Sequence, residues 1–241
     1  MKTQSTTFTG SLTVGVLVLM FLTACGPKGT AADTAVADKP ASTTAATPTA
    51  VASTDVVRYE AQSTGSKMRI DGTANIKNWH MDSVMIGGYV EADAKFPESA
   101  LTDAKAAKPV VNVYMPVRSF KSGNGSMDGR MQKEMNEAKF KRIEYKLIEL
   151  KPTSTAGSTG ALKFDATGTL TIVGQARTNT MPVTIEKLAD GKLKIAGVAK
   201  MKMTDFGIEP PTTLGLFTSG DDVTLTFEWL TAPKAEAPKA P

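Results

Sequence analysis

The sequence predicts an all-β fold, with antiparallel strands forming a barrel or sandwich and one short helix among them. Three observations carry this. Eight runs between Lys67 and Leu230 alternate apolar and polar residues at period two. Several of the connections are too short to hold a crossover helix. Only one segment, Ser126–Ala138, carries helical spacing instead.

The order of elements begins with a targeting segment. Lys2 is the only charge in the first 27 residues, and Leu12–Leu22 (LTVGVLVLMFL) is an apolar run too short to span a bilayer comfortably. It ends in Leu22-Thr23-Ala24-Cys25, which resembles the lipobox of bacterial lipoproteins: Leu, two small residues, then Cys. The resemblance implies a signal peptide over 1–24, cleavage before Cys25, and lipid added to the Cys25 thiol and amine. Several acyl chains anchor a protein stably where one chain alone binds marginally. Gly26 follows, where enterobacterial lipoproteins retained at the inner membrane usually carry Asp. By resemblance this favours the outer membrane, facing the periplasm. Cys25 is the only cysteine, so no intramolecular disulfide can form and the fold must stand on its core.

Residues 25–55 hold the Cys and an Ala/Thr/Pro/Ser-rich stretch with no aromatic residue and no apolar period. Such a composition reads as a disordered tether with an r.m.s. reach of roughly 30 Å. The tail, 232–241 (APKAEAPKAP), reads alike. Between them, 56–231 is one domain.

Within it Val56–Ala61 reads as a short first strand. Lys67–Lys77 places Met68, Ile70, Gly72, Ala74 and Ile76 on one face, and Val84–Ala92 does so with Val84, Ile86, Gly88, Val90 and Ala92. Pro109–Val117, Ile143–Leu150, Ala161–Val173, Asn179–Leu188, Lys192–Thr204 and Asp222–Leu230 follow. Asp190-Gly191 between two of these runs signals a type I′ hairpin. Eight or nine strands result. In Ser126–Ala138, Met127, Met131 and Met135 stand at i, i+4 and i+8, and Asn124 or Ser126 can cap the start. The Met stripe fits either core beneath a surface helix or an adaptable lid over a cavity.

The stretch Leu193–Met203 (LKIAGVAKMKM) has an odd inward face: Leu193, Ile195, Gly197, Ala199, Met201, Met203. It is large at both ends and small in the middle. The same small pair recurs as Gly72/Ala74 and as Ala166/Gly168. Gly weakens a strand interior, so its use needs a reason. Curvature is one, since barrels bend at Gly or bulges. A ligand lumen is another, since eight-stranded barrels stand near the size that holds one small ligand.

Composition and motifs exclude other classes. The net charge is +4, or +3 once Lys2 is removed with a signal, which is too small to argue for nucleic acid. His80 is the only histidine and no Cys lies inside the domain, so there is no zinc set and no Cys/His dyad; a serine triad would have to use His80, which lies near a turn with nothing around it to support one. Asp205 and Asp221-Asp222 read as turn and strand-edge residues. There is no P-loop and no GxGxxG before a helix. The chain reads as a non-enzyme.

Several segments match a known family. LTIVGQARTNTMPVTI (Leu170–Ile185), MKMTDFGIEPP (Met201–Pro211), VYMPVRSFKSGNGSMDGRMQKEMNEAKFKRIEYKL (Val113–Leu147) and GTANIKNWHM (Gly72–Met81) resemble, in order and spacing, the YceI-like domain family. The resemblance covers about Val56–Leu230. It implies a lipocalin-like antiparallel barrel with a long apolar tunnel, in a family associated with polyisoprenoid binding. The chain departs at Lys77, where many members have His, and at Glu134–Asn136, where many carry Asp-x-His-Leu.

The expectation is therefore a lipid-anchored periplasmic protein that sequesters or carries a long isoprenoid, such as a quinone or polyprenyl phosphate. The alternative is a non-catalytic envelope scaffold with a filled barrel. The expected walls are Ile70, Met115, Phe164, Ile172, Met201, Met203, Leu225 and Phe227, trimmed at Gly72, Gly168 and Gly197. The expected mouth is Trp79, Phe120, Met127, Met131 and Phe206, with Arg118 or Lys121 for an anionic head group. The expected partners are the isoprenoid or quinone, the membrane through Cys25, and a second copy of the chain in a homodimer. No metal and no cofactor beyond a bound isoprenoid is expected.

Overall fold

The computed structural model describes residues 56–103, 108–213 and 216–234. The expected signal peptide, the Cys25 anchor and the tether lie outside the described residues. Among the described residues eleven strands form in order: β1 Val56–Ala61, β2 Lys67–Ala74, β3 Trp79–Ser83, β4 Gly87–Asp93, β5 Val110–Pro116, β6 Arg142–Pro152, β7 Leu162–Ile172, β8 Gln175–Lys187, β9 Leu193–Lys202, β10 Thr212–Thr213 and β11 Phe217–Pro233. Two α-helices among the described residues join them, the single turn α1 Ser99–Thr102 and the longer α2 Gly125–Glu134.

All described pairings between strands are antiparallel, in the order β1-β4-β5-β6-β7-β8-β9-β11, and β11 returns to β1. That closes an eight-stranded barrel. β2 and β3 extend the wall beside β11, so β1 and β2 both run along that one long strand. A bridge between Asp82 and Lys121 links β3 to the chain beyond β5. Bulges between Leu147 and Glu149 and between Ser219 and Val223 supply local bending.

Burial follows the alternation. On β7 Leu162, Phe164, Ala166, Leu170 and Ile172 are all buried. On β11 Trp229 is 2% exposed. The hairpin at Asp190-Gly191 is present but its turn is not type I′: Gly191 has φ 79° while Asp190 does not have positive φ, and the Lys192 N–H donates to the Asp190 carboxylate at 3.2 Å.

Several boundaries differ from the sequence reading: β8 and β11 begin at Gln175 and Phe217, ahead of Asn179 and Asp222, α2 ends at Glu134 rather than Ala138, and four further differences bear on the walls. β2 stops at Ala74, and Ile76 is 69% exposed because the chain turns there. Val84 is 67% exposed, outside β4, while Ile86, Val90 and Ala92 keep the inward face. Trp79–Ser83, read as a turn region, is a strand in its own right. β11 runs two residues past 231, because closure needs them: Glu60 pairs with Ala232 and Tyr59 with Pro233.

Candidate functional site: a two-chambered lumen

Among the described residues, two cavities lie within the barrel. An upper one of ≈ 360 Å³ lies beneath α2 and a lower one of ≈ 80 Å³ lies deeper in the barrel. Met115, Leu170 and Leu225 line both, so these three side chains form the waist between the chambers. A filled barrel is not what these strands build.

The upper chamber is roofed by α2 because of its local sequence. The Asn124 side chain accepts hydrogen bonds from the N–H groups of Ser126 and Met127 at 3.0 and 3.2 Å, which caps the helix. Asp128, 8% exposed, accepts from the Ser122 N–H at 2.8 Å and the Ser122 hydroxyl at 2.6 Å. Those hydrogen bonds hold its carboxyl below the ordinary carboxylate range, with Lys121 adding a smaller effect from 3.8 Å. So fixed, α2 turns Met127, Met131 and Met135 into the chamber. The Met stripe is therefore both partly buried core and cavity roof.

Eleven of the expected residues line the lumen, ten of them in the upper chamber: Ile70, Trp79, Met115, Met127, Met131, Ile172, Met201, Met203, Phe206 and Leu225. Phe227 lines the lower one. The other expectations are corrected. Phe120 and Phe164 are fully buried in the hydrophobic core and line neither chamber. The three small mid-strand residues are not gaps. Gly72 pairs with Trp79, and a Cβ at 72 would overlap the indole ring. A Cβ at Gly168 would overlap the Tyr145 ring. Gly197 pairs with Phe227, and a Cβ there would come within 2.8 Å of the phenyl Cζ. Each glycine is a seat for an aromatic ring from an adjacent strand, a form of aromatic rescue.

Arg118 and Lys121 do not reach the lumen: Arg118 is paired with Glu137 at 2.7 Å and Lys121 lies 3.8 Å from Asp128. The charged groups at the upper chamber are Arg130, Glu134 and Lys202. Arg130 donates to the Thr212 carbonyl at 2.8 Å. Sequence reasoning missed these, along with Met81, Ile143, Leu170 and Val223 on the walls. Met81 was findable from the alternation in Trp79-His80-Met81. Arg130 and Glu134 were findable from their position three residues from Met127 and Met131.

The polar residues considered for chemistry serve structure. Asp221 accepts from the Thr204 N–H at 2.9 Å and its hydroxyl at 2.7 Å, and Asp205 accepts from the Lys202 N–H at 3.3 Å. The His80 side chain is half exposed, 3.6 Å from Asp82.

The YceI-like domain model matches residues 59–230. The chain belongs to the YceI-like domain family. No curated protein matched. Among solved structures, BcnA of Burkholderia cenocepacia is similar at 20% identity and a TM-score of 0.54, covering 68% of this chain and 95% of that one. A polyisoprenoid-binding domain from Saccharophagus degradans, described as implicated in plant cell wall breakdown, is similar at 12% identity and a TM-score of 0.55, covering 73% and 98%. These likenesses establish the fold, an all-β YceI-like barrel.

Proposed function

We propose that this domain binds an isoprenoid chain in its barrel lumen, sequestering or carrying it without chemistry. The observation that carries this is the upper chamber: ≈ 360 Å³, walled almost wholly by Met, Ile, Leu, Val and aromatic side chains, with polar groups only at a few places. That volume falls within the roughly 300–1,000 Å³ of small-molecule sites. The driving term is apolar burial, about 25 cal/mol per Å² removed from water. The family, and the polyisoprenoid-binding description of one structural neighbour, support an isoprenoid over other apolar ligands. A quinone or a polyprenyl phosphate fits, with an anionic head group placed near Arg130 and Lys202 rather than Arg118. The volume suits a segment of such a chain, the remainder passing the waist or leaving at the mouth.

We further propose that Cys25 carries the lipid anchor, holding the domain at the periplasmic face of the outer membrane. The lipobox-like Leu22–Cys25 and Gly26 support this. Cys25→Ala, followed by membrane fractionation and labelling with a radioactive fatty acid, tests it. Loss of label and of outer-membrane residence is the expected result, and an unchanged distribution would refute it.

Binding is tested by titration. The only two tryptophans, Trp79 and Trp229, line the upper and lower chambers respectively. Their fluorescence should change saturably when delipidated protein is titrated with a quinone or a polyprenyl phosphate. A flat response to both would refute the lumen reading.

A further inference from the structure

Among the described residues, the two most exposed large apolar side chains are Leu216, 73% exposed, and Ile76, 69%. Apolar side chains scattered singly over a surface need no explanation. These two are not scattered. Ile76 lies in the turn between β2 and β3, and Leu216 in the turn between β10 and β11. Asn75 fastens the two turns together. Its side-chain N–H donates to the Leu216 carbonyl at 2.8 Å, its backbone N–H donates to the Thr218 carbonyl at 3.1 Å, and its Oδ1 accepts from the Thr218 N–H at 3.0 Å. The fold therefore holds this pair of side chains in water side by side.

The pair stands at the rim of the upper chamber. Phe217 follows Leu216, Trp79 lies three residues beyond Ile76, and both line that chamber. Ile208 and Pro211, on the segment leading into β10, line it too. Arg130 of α2 donates to the Thr212 carbonyl at 2.8 Å, so the roof meets the β10–β11 turn at the same place. On this side the apolar wall of the chamber continues outward into Leu216 and Ile76. The nearby charges almost balance: Lys77, Arg130 and Lys202 against Glu134 and Glu209. Apolar contact, not charge, is then the main attraction this rim offers.

A long isoprenoid crossing water between a bilayer and the lumen exposes its whole apolar surface on the way. A rim seated in the bilayer removes that step, because chamber wall and acyl chains become one apolar path. The chain outside the described residues permits such a seat. Val56 begins β1 at the far end of the barrel, where Tyr59 pairs with Pro233. From Phe217 to Pro233 β11 has 17 residues, at most about 55 Å of strand. Residues 26–55 separate Cys25 from Val56, and a segment of that length spans up to about 100 Å when extended. An anchor at Cys25 leaves the mouth within reach of the same membrane.

We propose that the rim carrying Ile76 and Leu216 is a docking surface for a phospholipid bilayer, through which the lumen loads and unloads its isoprenoid. The loading route rests on the lumen reading, whereas the docking is tested with no ligand present.

The full chain is reconstituted with phosphatidylcholine vesicles whose acyl chains carry bromine, a short-range quencher of tryptophan. Leu216→Trp places a reporter on the rim. Ile148→Trp places one on the side of the barrel, where Ile148 is 62% exposed. Measured over the emission of Trp79 and Trp229, the reporter at 216 should be quenched and blue-shifted, and the reporter at 148 should emit as it does with unbrominated lipid. No quenching at 216, or equal quenching at both positions, would overturn the docking. A dimer lost on Ile76→Ser with Leu216→Ser, together with an unquenched reporter, would give the face to a second copy of the chain instead. That double serine variant should melt with the parent and reach the same final occupancy with a long-chain ubiquinone. Its uptake from vesicles should be slower by about tenfold or more, since binding at an interface scales with the apolar area buried there. Uptake at the parental rate would overturn the loading role. If neither ubiquinone nor a polyprenyl phosphate enters while the reporter at 216 is still quenched, the lumen reading fails and the docking surface stands.

Discussion

Trp79 lies across Gly72, its cross-strand partner, and donates its indole N–H to the Ser219 hydroxyl at 2.8 Å. The contact ties β3, β2 and β11 together at the rim of the upper chamber, where Trp79 and Ser219 are both lining residues. Gly72→Val should therefore expel the ring. Overpacking of this kind costs about 1–3 kcal/mol, and it should appear as a lower midpoint in denaturant together with a red-shifted tryptophan emission. An unchanged emission would mean that the ring does not depend on the glycine.

The Asn124 cap holds the roof. Asn124→Ala should cost about 1 kcal/mol of stability and should speed ligand release more than it slows uptake. Equilibrium unfolding and stopped-flow release of a bound isoprenoid measure the two effects. Release at the parental rate would show that α2 is not the gate.

Asp128 gives the roof a pH dependence. Its carboxyl titrates below the ordinary range because Ser122 and, more weakly, Lys121 favour the charged form. A carboxyl depressed in the folded state adds stability above its unfolded pKa and loses it as pH falls through the folded one. Asp128→Asn should thus be less stable than the parent at pH 7, with the gap closing in acid. Unfolding curves at pH 7 and near pH 3 check this. A gap independent of pH would contradict it.

The waist sets how far a chain can penetrate. Leu225 lines both chambers, so Leu225→Phe should narrow the passage between them. Long isoprenoids should lose about tenfold or more in affinity, while chains short enough for the upper chamber should bind as before. An equal effect on both would mean that the chambers do not work in series.

Much of the barrel was legible because one physical pattern writes it. Residues at period two either enter the core or meet water, so β6 to β9 and β11 could be read from alternation to within a few residues at most of their ends. The helix was equally legible from its Met spacing and its Asn124 cap. What the pattern omits is register. Gly72, Gly168 and Gly197 are visibly small, but nothing local says that Trp79, Tyr145 and Phe227 arrive from adjacent strands to cover them. The seeming gap at mid-strand is a pairing rule seen from one strand only. Phe120 and Phe164 fail for a related reason: an inward side chain can end in packed core or in open lumen, and only the assembled wall decides which. Arg118 and Lys121 lie just before the helix in sequence, whereas α2 carries Arg130 and Glu134 to the chamber on the helix itself.

Extraction tests directly whether the lumen holds an isoprenoid chain. The domain, expressed from about Val56 in a bacterial periplasm without Cys25, is purified free of detergent, extracted with organic solvent and analysed by mass spectrometry. An isoprenoid in near-stoichiometric amount is the expected result. A folded protein that yields none, and that afterwards binds neither added quinone, polyprenyl phosphate nor polyprenol, would contradict it.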